Sequence, residues 1–185
     1  MKAKTALLLS LALLSHGCAT TVKSRGPESG TSSHARAPKI KQPVSSPGAS
    51  DRCQDLLPMI RQAASEAKME PALLVGLVRT ESNFRPEARS PVGALGLTQV
   101  MPLTGRAKKC GNLRDPMENL RCGVRVLQAF LAWYKGDVYL SLSGYNAGHG
   151  MPDRAARKKG LPANTDYVES VLWGRSRFLN HGCKF

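Results

Sequence analysis

The sequence predicts one compact, mostly α-helical domain, carried behind an export signal and a polar tether. Three observations lead there. Apolar residues recur at three- and four-residue steps through most of the chain after residue 50. Alternating strand patterns are essentially missing. The composition also changes abruptly near Ser50, which divides the 185 residues into segments 1–18, 19–50 and 51–185, the last being the length of one ordinary domain.

The helices follow in order. Leu56, Leu57, Ile60, Ala63, Ala64 and Ala67 mark an amphipathic helix over about residues 53–68. A second begins at Pro71, a residue suited to the first helical turn, and Leu73, Leu74, Leu77 and Val78 carry its apolar face up to Glu81 and Ser82. The third opens at Asp115-Pro116 with Glu118 following the cap, and Leu120, Val124, Leu127, Leu131 and Tyr134 hold one face until Gly136. A fourth covers about residues 137–145, and a last, over 165–179, buries Val168, Val171, Leu172 and Phe178. Residues 83–102 form one long irregular loop, and loops braced between helices are where binding and catalytic groups concentrate.

At the start of the chain, Lys2 and Lys4 precede an apolar run over residues 6–14 and then Ser15-His16-Gly17-Cys18-Ala19, the order of a secretory signal. The run is too short to span a bilayer. Gly17-Cys18 resembles the end of a lipobox, which would make Cys18 the acylated first residue, although Ser15 stands where Leu is usual. Cleavage after Ala19 by ordinary signal peptidase is the alternative. The lipoprotein reading places the protein on the periplasmic face of an outer membrane; the alternative leaves it soluble in the periplasm or secreted. Residues 19–50, rich in Ser, Thr, Gly, Pro, Lys and Arg, cannot bury a core and read as a disordered tether.

Removing Cys18 from five cysteines leaves Cys53, Cys110, Cys122 and Cys183, an even set that suits disulfides in an oxidising compartment. Of three possible pairings, Cys110 with Cys122 as a short staple and Cys53 with Cys183 across the domain's ends are preferred, with four buried thiols as the alternative. No CxxC pair exists, and among these four cysteines only Cys183 has a histidine, His181, nearby, so no metal site or cofactor is expected. Basic residues outnumber acidic ones 27 to 13. Behind an export signal this excess points to anionic headgroups or wall carboxylates and away from nucleic acid, with a simply solvated surface as the alternative for each basic cluster.

Glu81 stands at the mouth of the loop. Alone it reads as a solvent-facing glutamate; facing a cleft at the end of an apolar helix, its pKa would rise and it could serve as a general acid. Its neighbours decide between the two. Glu81-Ser82-Asn83-Phe84, Ser90, the stretch Gly93-Ala94-Leu95-Gly96-Leu97-Thr98-Gln99-Val100-Met101-Pro102 and the downstream Gly144-Tyr145-Asn146-Ala147-Gly148 together resemble the soluble lytic transglycosylase family, a lysozyme-like superfamily related to goose-type lysozyme. The similarity spans about residues 56–171 and thins beyond Gly150 to Pro162, Thr165 and Tyr167-Val168.

The resemblance implies a lyase that cuts peptidoglycan strands between N-acetylmuramic acid and N-acetylglucosamine and leaves a 1,6-anhydro end. Glu81 would be its acid and then its base, with no second motif carboxylate. Glu87, in a charged loop, reads as surface. Ser90 and Gln99 would line the cleft and bond sugar hydroxyls and acetamido groups. Tyr145 and Asn146 would approach from the far helix, the phenol bonding Glu81. Met101 fits the cleft wall, though it reads nearly as easily as plain core. Thr98 replaces a usual Met and Gly144 a usual Ala. The scarcity of aromatic residues argues against a long stacking platform. A hydrolase of the lysozyme type and a non-catalytic wall-binding module of an envelope machine are the other readings. A monomer is expected.

Overall fold

The computed structural model describes residues 48–185; residues 1–47, including Cys18 and nearly all of the tether, lie outside them. Among the described residues seven helices succeed one another: α1 (Ala49–Glu66), α2 (Pro71–Ser82), α3 (Pro102–Ala107), α4 (Pro116–Trp133), α5 (Val138–Ala147), α6 (Gly150–Lys158) and α7 (Thr165–His181). Among the described residues there is no β-strand. The loop after α2 holds only the isolated bridges Arg89 to Leu95 and Leu95 to Val100.

Two helices differ from expectation. α3 has six residues, too few to display a period, and α6 buries only Pro152 and Ala155 beneath a basic face. Neither offers the apolar stripe that marked the others. Caps explain the clear ones. Asp115 Oδ1 accepts a hydrogen bond from the Glu118 backbone N–H, and Asp137 Oδ1 accepts from that of Leu140.

α2 is the axle of the domain. Ala72, Leu73, Leu74, Val75, Leu77 and Val78 are all buried, so this helix is apolar around its whole circumference, the pattern of a core helix. α7 crosses it antiparallel at unusually close range. A Cβ on Gly76 would run into the Val171 carbonyl oxygen, and one on Gly174 would stand 3.0 Å from the Gly76 Cα. Glycine is what permits backbone to meet backbone here. The antiparallel register continues past the crossing, with Thr80 Oγ1 3.3 Å from Ser170 Oγ. One step further, Glu81 faces Tyr167.

Disulfides join Cys53 to Cys183 and Cys110 to Cys122, with Cα separations of 5.6 Å in both. The first links α1 to the chain end just beyond α7. The second fastens the segment after α3 to α4. Val168 and Val171 are fully buried, whereas Leu172 and Phe178 are only half-buried at the edge of the core.

Candidate active site

All six residues singled out on the sequence line one cleft of about 330 Å³: Glu81, Ser90, Gln99, Met101, Tyr145 and Asn146. Ala94 and Val100 of the quoted stretch, with Val92, Thr104 and Val126, complete its walls, and these last three were not anticipated. Glu81 is the only acidic residue in the lining. Glu87 is exposed on the loop and takes no part in it.

Glu81 occupies the last turn of α2, where the apolar helix delivers its carboxyl into the cleft. Burial pushes its pKa up to about 7, and a hydrogen bond from Tyr167 pulls in the opposite direction. Tyr167 Oη donates to Glu81 Oε1 at 2.5 Å. This corrects the expectation for Tyr145, whose phenol donates instead to the Thr98 carbonyl oxygen at 2.7 Å. Tyr145 thereby clamps the loop, while Tyr167 holds the acid. The sequence signal for Tyr167 was its place in the thin Tyr167-Val168 stretch at the end of the similarity. Both phenols are buried, and together with the Glu81 charge this raises their pKa values, so both stay protonated as donors.

The loop is shaped by its own polar groups. Buried Asn119, on α4, accepts from the Thr98 N–H and hydroxyl and donates to the carbonyls of Leu95 and Leu113. A single amide therefore secures the segment on both sides of Leu97. Gln99, in the left-handed region at φ 48°, donates from Nε2 to the carbonyls of Gly96 at 2.8 Å and Ala88 at 3.2 Å. Its amide oxygen is left as an acceptor for the cleft. The Ser90 hydroxyl accepts from the Ala94 N–H and so braces the loop as well as lining it. Asn146 accepts from Asn164 Nδ2 at 3.0 Å, which leaves its own amide N–H groups to the cleft. Met101 is exposed at the rim and is not core.

The two departures from the expected motif are matched by neighbours. Thr98 is fully buried against Gly123, its hydroxyl satisfied by Asn119, and the Phe130 ring fills the space where Gly144 lacks a side chain. No group of three or more His, Cys, Asp or Glu residues able to hold a metal occurs among the described residues.

Comparison with known proteins settles the kinship. The Transglycosylase SLT domain matches residues 58–168, which contain every cleft residue named above and Tyr167. The chain belongs to that family. The SLT domain here is 34% identical over 117 residues to the "Transglycosylase" of Enterobacteria phage PRD1, covering 63% of this chain and 44% of that protein. It is 32% identical to the "Membrane-bound lytic murein transglycosylase C" of Haemophilus influenzae, covering 54% of this chain and 33% of that one. The chain thus spans less than half the length of these curated relatives. Among solved structures, the 70 kDa soluble lytic transglycosylase of Escherichia coli superposes with a TM-score of 0.61 at 24% identity, over 71% of this chain and 26% of that chain; this likeness bears on fold. An inactive mutant of the lytic transglycosylase Slt from Pseudomonas aeruginosa superposes with a TM-score of 0.51 at 25% identity, over 64% and 21%. The helical, lysozyme-like fold expected of an SLT domain is the one observed.

Proposed function

We propose that this protein is a peptidoglycan lytic transglycosylase, cutting the β-1,4 bond between N-acetylmuramic acid and N-acetylglucosamine with formation of a 1,6-anhydromuramoyl end. The observation that carries the reading is Glu81: a lone carboxyl in the cleft, held by Tyr167, with a pKa pushed up to about 7. A group with that pKa can hold a proton near neutral pH and can also accept one, the requirement for serving as acid and base in turn.

In the first step Glu81 donates its proton to the glycosidic oxygen as the bond from the muramoyl anomeric carbon breaks. The glucosamine fragment leaves with a free 4-hydroxyl. Two-carboxylate glycosidases place a second acid opposite the first. The lining here offers none, and the substrate's own acetamido oxygen takes that position on the anomeric carbon. In the second step the Glu81 carboxylate removes the proton of the muramoyl 6-hydroxyl, whose oxygen displaces the acetamido group and closes the 1,6-anhydro ring. Water is neither consumed nor released, so the cleavage is a non-hydrolytic intramolecular transglycosylation and the enzyme a lyase. The Gln99 amide oxygen and the Asn146 amide N–H groups suit acetamido and hydroxyl partners.

The lipobox-like Gly17-Cys18 and the polar tether support a further part of the reading, that Cys18 is acylated and the domain works from the periplasmic face of an outer membrane. Among the described residues no helix is long and apolar enough to cross a membrane.

Mass spectrometry of muropeptides released from purified peptidoglycan tests the chemistry. Anhydro ends are expected. Reducing ends would establish a hydrolase, and an absence of products from folded protein would establish a wall-binding module.

A further inference from the structure

α4 leaves the cleft carrying aromatic side chains. Val126 lines the cleft; one turn further along the same helix stands Phe130, and beyond it Trp133 and Tyr134. At 1.5 Å per residue, Trp133 lies about 10 Å along the helix from Val126, the reach of a strand rather than of a single sugar. A second cleft-lining segment leads to the same rings. Asn146 lines the cleft, and three residues on, at the head of α6, His149 turns back onto the aromatic side chains of α4.

The rings form one cluster. The His149 ring centroid is 4.9 Å from that of Phe130 and 4.7 Å from that of Trp133. Tyr134 donates its phenol hydrogen to Asp153 Oδ1 at 2.7 Å and lies 3.3 Å from His149 Nδ1, which fixes the edge of the cluster. Trp133 itself remains 64% exposed. An indole is expensive to leave in water, and large exposed apolar groups close to a binding cleft commonly mark an interaction surface. The apolar face and polar rim suit a pyranose ring, which presents a face of C–H bonds and an edge of hydroxyls.

We propose that Trp133, His149 and Phe130 form a stacking subsite that continues the cleft and holds a sugar ring of the glycan strand beyond the pair at the cleaved bond. The inference rests on the reading of the cleft as a peptidoglycan site. Continuity with the cleft along both α4 and the α5–α6 connection is what assigns a glycan, and not another partner, to this surface. Its consequence is a preference for strands long enough to reach Trp133.

The chain contains two tryptophans, Trp133 and Trp173. Trp173 packs beneath Arg79, whose guanidinium carbon lies 4.2 Å from its ring centroid, so it belongs to a different surface. In a Glu81→Gln, Trp173→Phe protein, Trp133 is therefore the sole indole. That protein is titrated with peptide-free glycan strands of graded length, following binding by calorimetry and Trp133 by fluorescence. Long strands should shift the Trp133 emission and bind about 2- to 10-fold more tightly than strands too short to reach it. Trp133→Ala in the Glu81→Gln background should abolish that length advantage, and Trp133→Phe should restore most of it. Long strands that bind with Trp133 emission unmoved, or an unchanged length advantage in Trp133→Ala, would overturn the subsite. Strand binding by the protein with no anhydro product from wild type would instead overturn the lytic reading and leave the subsite standing.

Discussion

Tyr167 Oη and Glu81 Oε1 meet at 2.5 Å although 86 positions separate them in the chain. Burial raises the Glu81 pKa and this hydrogen bond restrains it, because a donor favours the charged carboxylate. Tyr167→Phe removes the restraint, so the Glu81 pKa should climb further. The alkaline limb of the kcat/KM profile, which reports loss of that proton from the free enzyme, should move to higher pH. At the same time kcat should fall by about 10-fold or more as the carboxyl loses its fixed orientation. Lower activity with an unmoved limb would reduce Tyr167 to a packing role.

Glu81→Gln should release soluble muropeptides about 100- to 10,000-fold more slowly while keeping the fold. It should also be the more stable protein at alkaline pH. The folded pKa of Glu81 lies above its unfolded value near 4.5, so its share of stability is fully present below pH 4.5 and is lost as pH rises through about 7. At pH 8 the wild type should lag the amide variant by on the order of 2–3 kcal/mol, a gap that should close toward pH 5. Thermal melts of both proteins across that range measure it, and a gap independent of pH would count against the raised pKa.

Both disulfides should be present in protein recovered from the exported compartment, with no free thiol at Cys110 or Cys122. In the chain-entropy account, losing Cys53–Cys183, which spans 130 positions, costs about 5 kcal/mol, against about 3 kcal/mol for the 12-position Cys110–Cys122 staple. Mass mapping under non-reducing conditions and melts of the paired Cys→Ser variants test the order.

Gly144→Ala restores a common family side chain yet should destabilise this member. The added Cβ would stand 2.5 Å from a Phe130 ring carbon, an overpacking worth about 1–3 kcal/mol. Phe130→Leu makes room, so the double variant should melt above the sum of the single losses. Strict additivity would show that the ring does not occupy the space.

Acylation at Cys18 should keep wild-type protein with membranes after a high-salt wash, because salt screens basic tether residues but leaves acyl chains in place. Cys18→Ser should be released. Equal release of both, with an N-terminus at Thr20, would show cleavage by ordinary signal peptidase.

Much of this arrangement is legible in the sequence. Pro71, Asp115 and Asp137 announced helix starts through local chemistry, and α2 and α4 carried long apolar patterns. The cleft residues were readable because they sit in compact motifs. What escaped notice depends on tertiary approach. Tyr167 stood only at the thin end of the family similarity, with no role of its own, until the Gly76 and Gly174 crossing brought it to Glu81. Asn119 belongs to no motif or apolar pattern in the sequence, yet it is fully buried and secures the loop. The few aromatics seemed too scattered for a platform, and folding gathers Phe130, Trp133, Tyr134 and His149 into one.

The crossing of α2 and α7 makes the raised pKa of Glu81 a product of tertiary structure rather than of the local sequence. Until α7 docks, Glu81 is a solvated glutamate of ordinary strength on an apolar segment, without the burial or the phenol that tune it. The match to the family ends at residue 168, just past Tyr167, but Val171 and Gly174, which seat the helix against Gly76, lie beyond it. A fragment trimmed at that boundary would keep every motif and lose the contact that turns one of them into an acid.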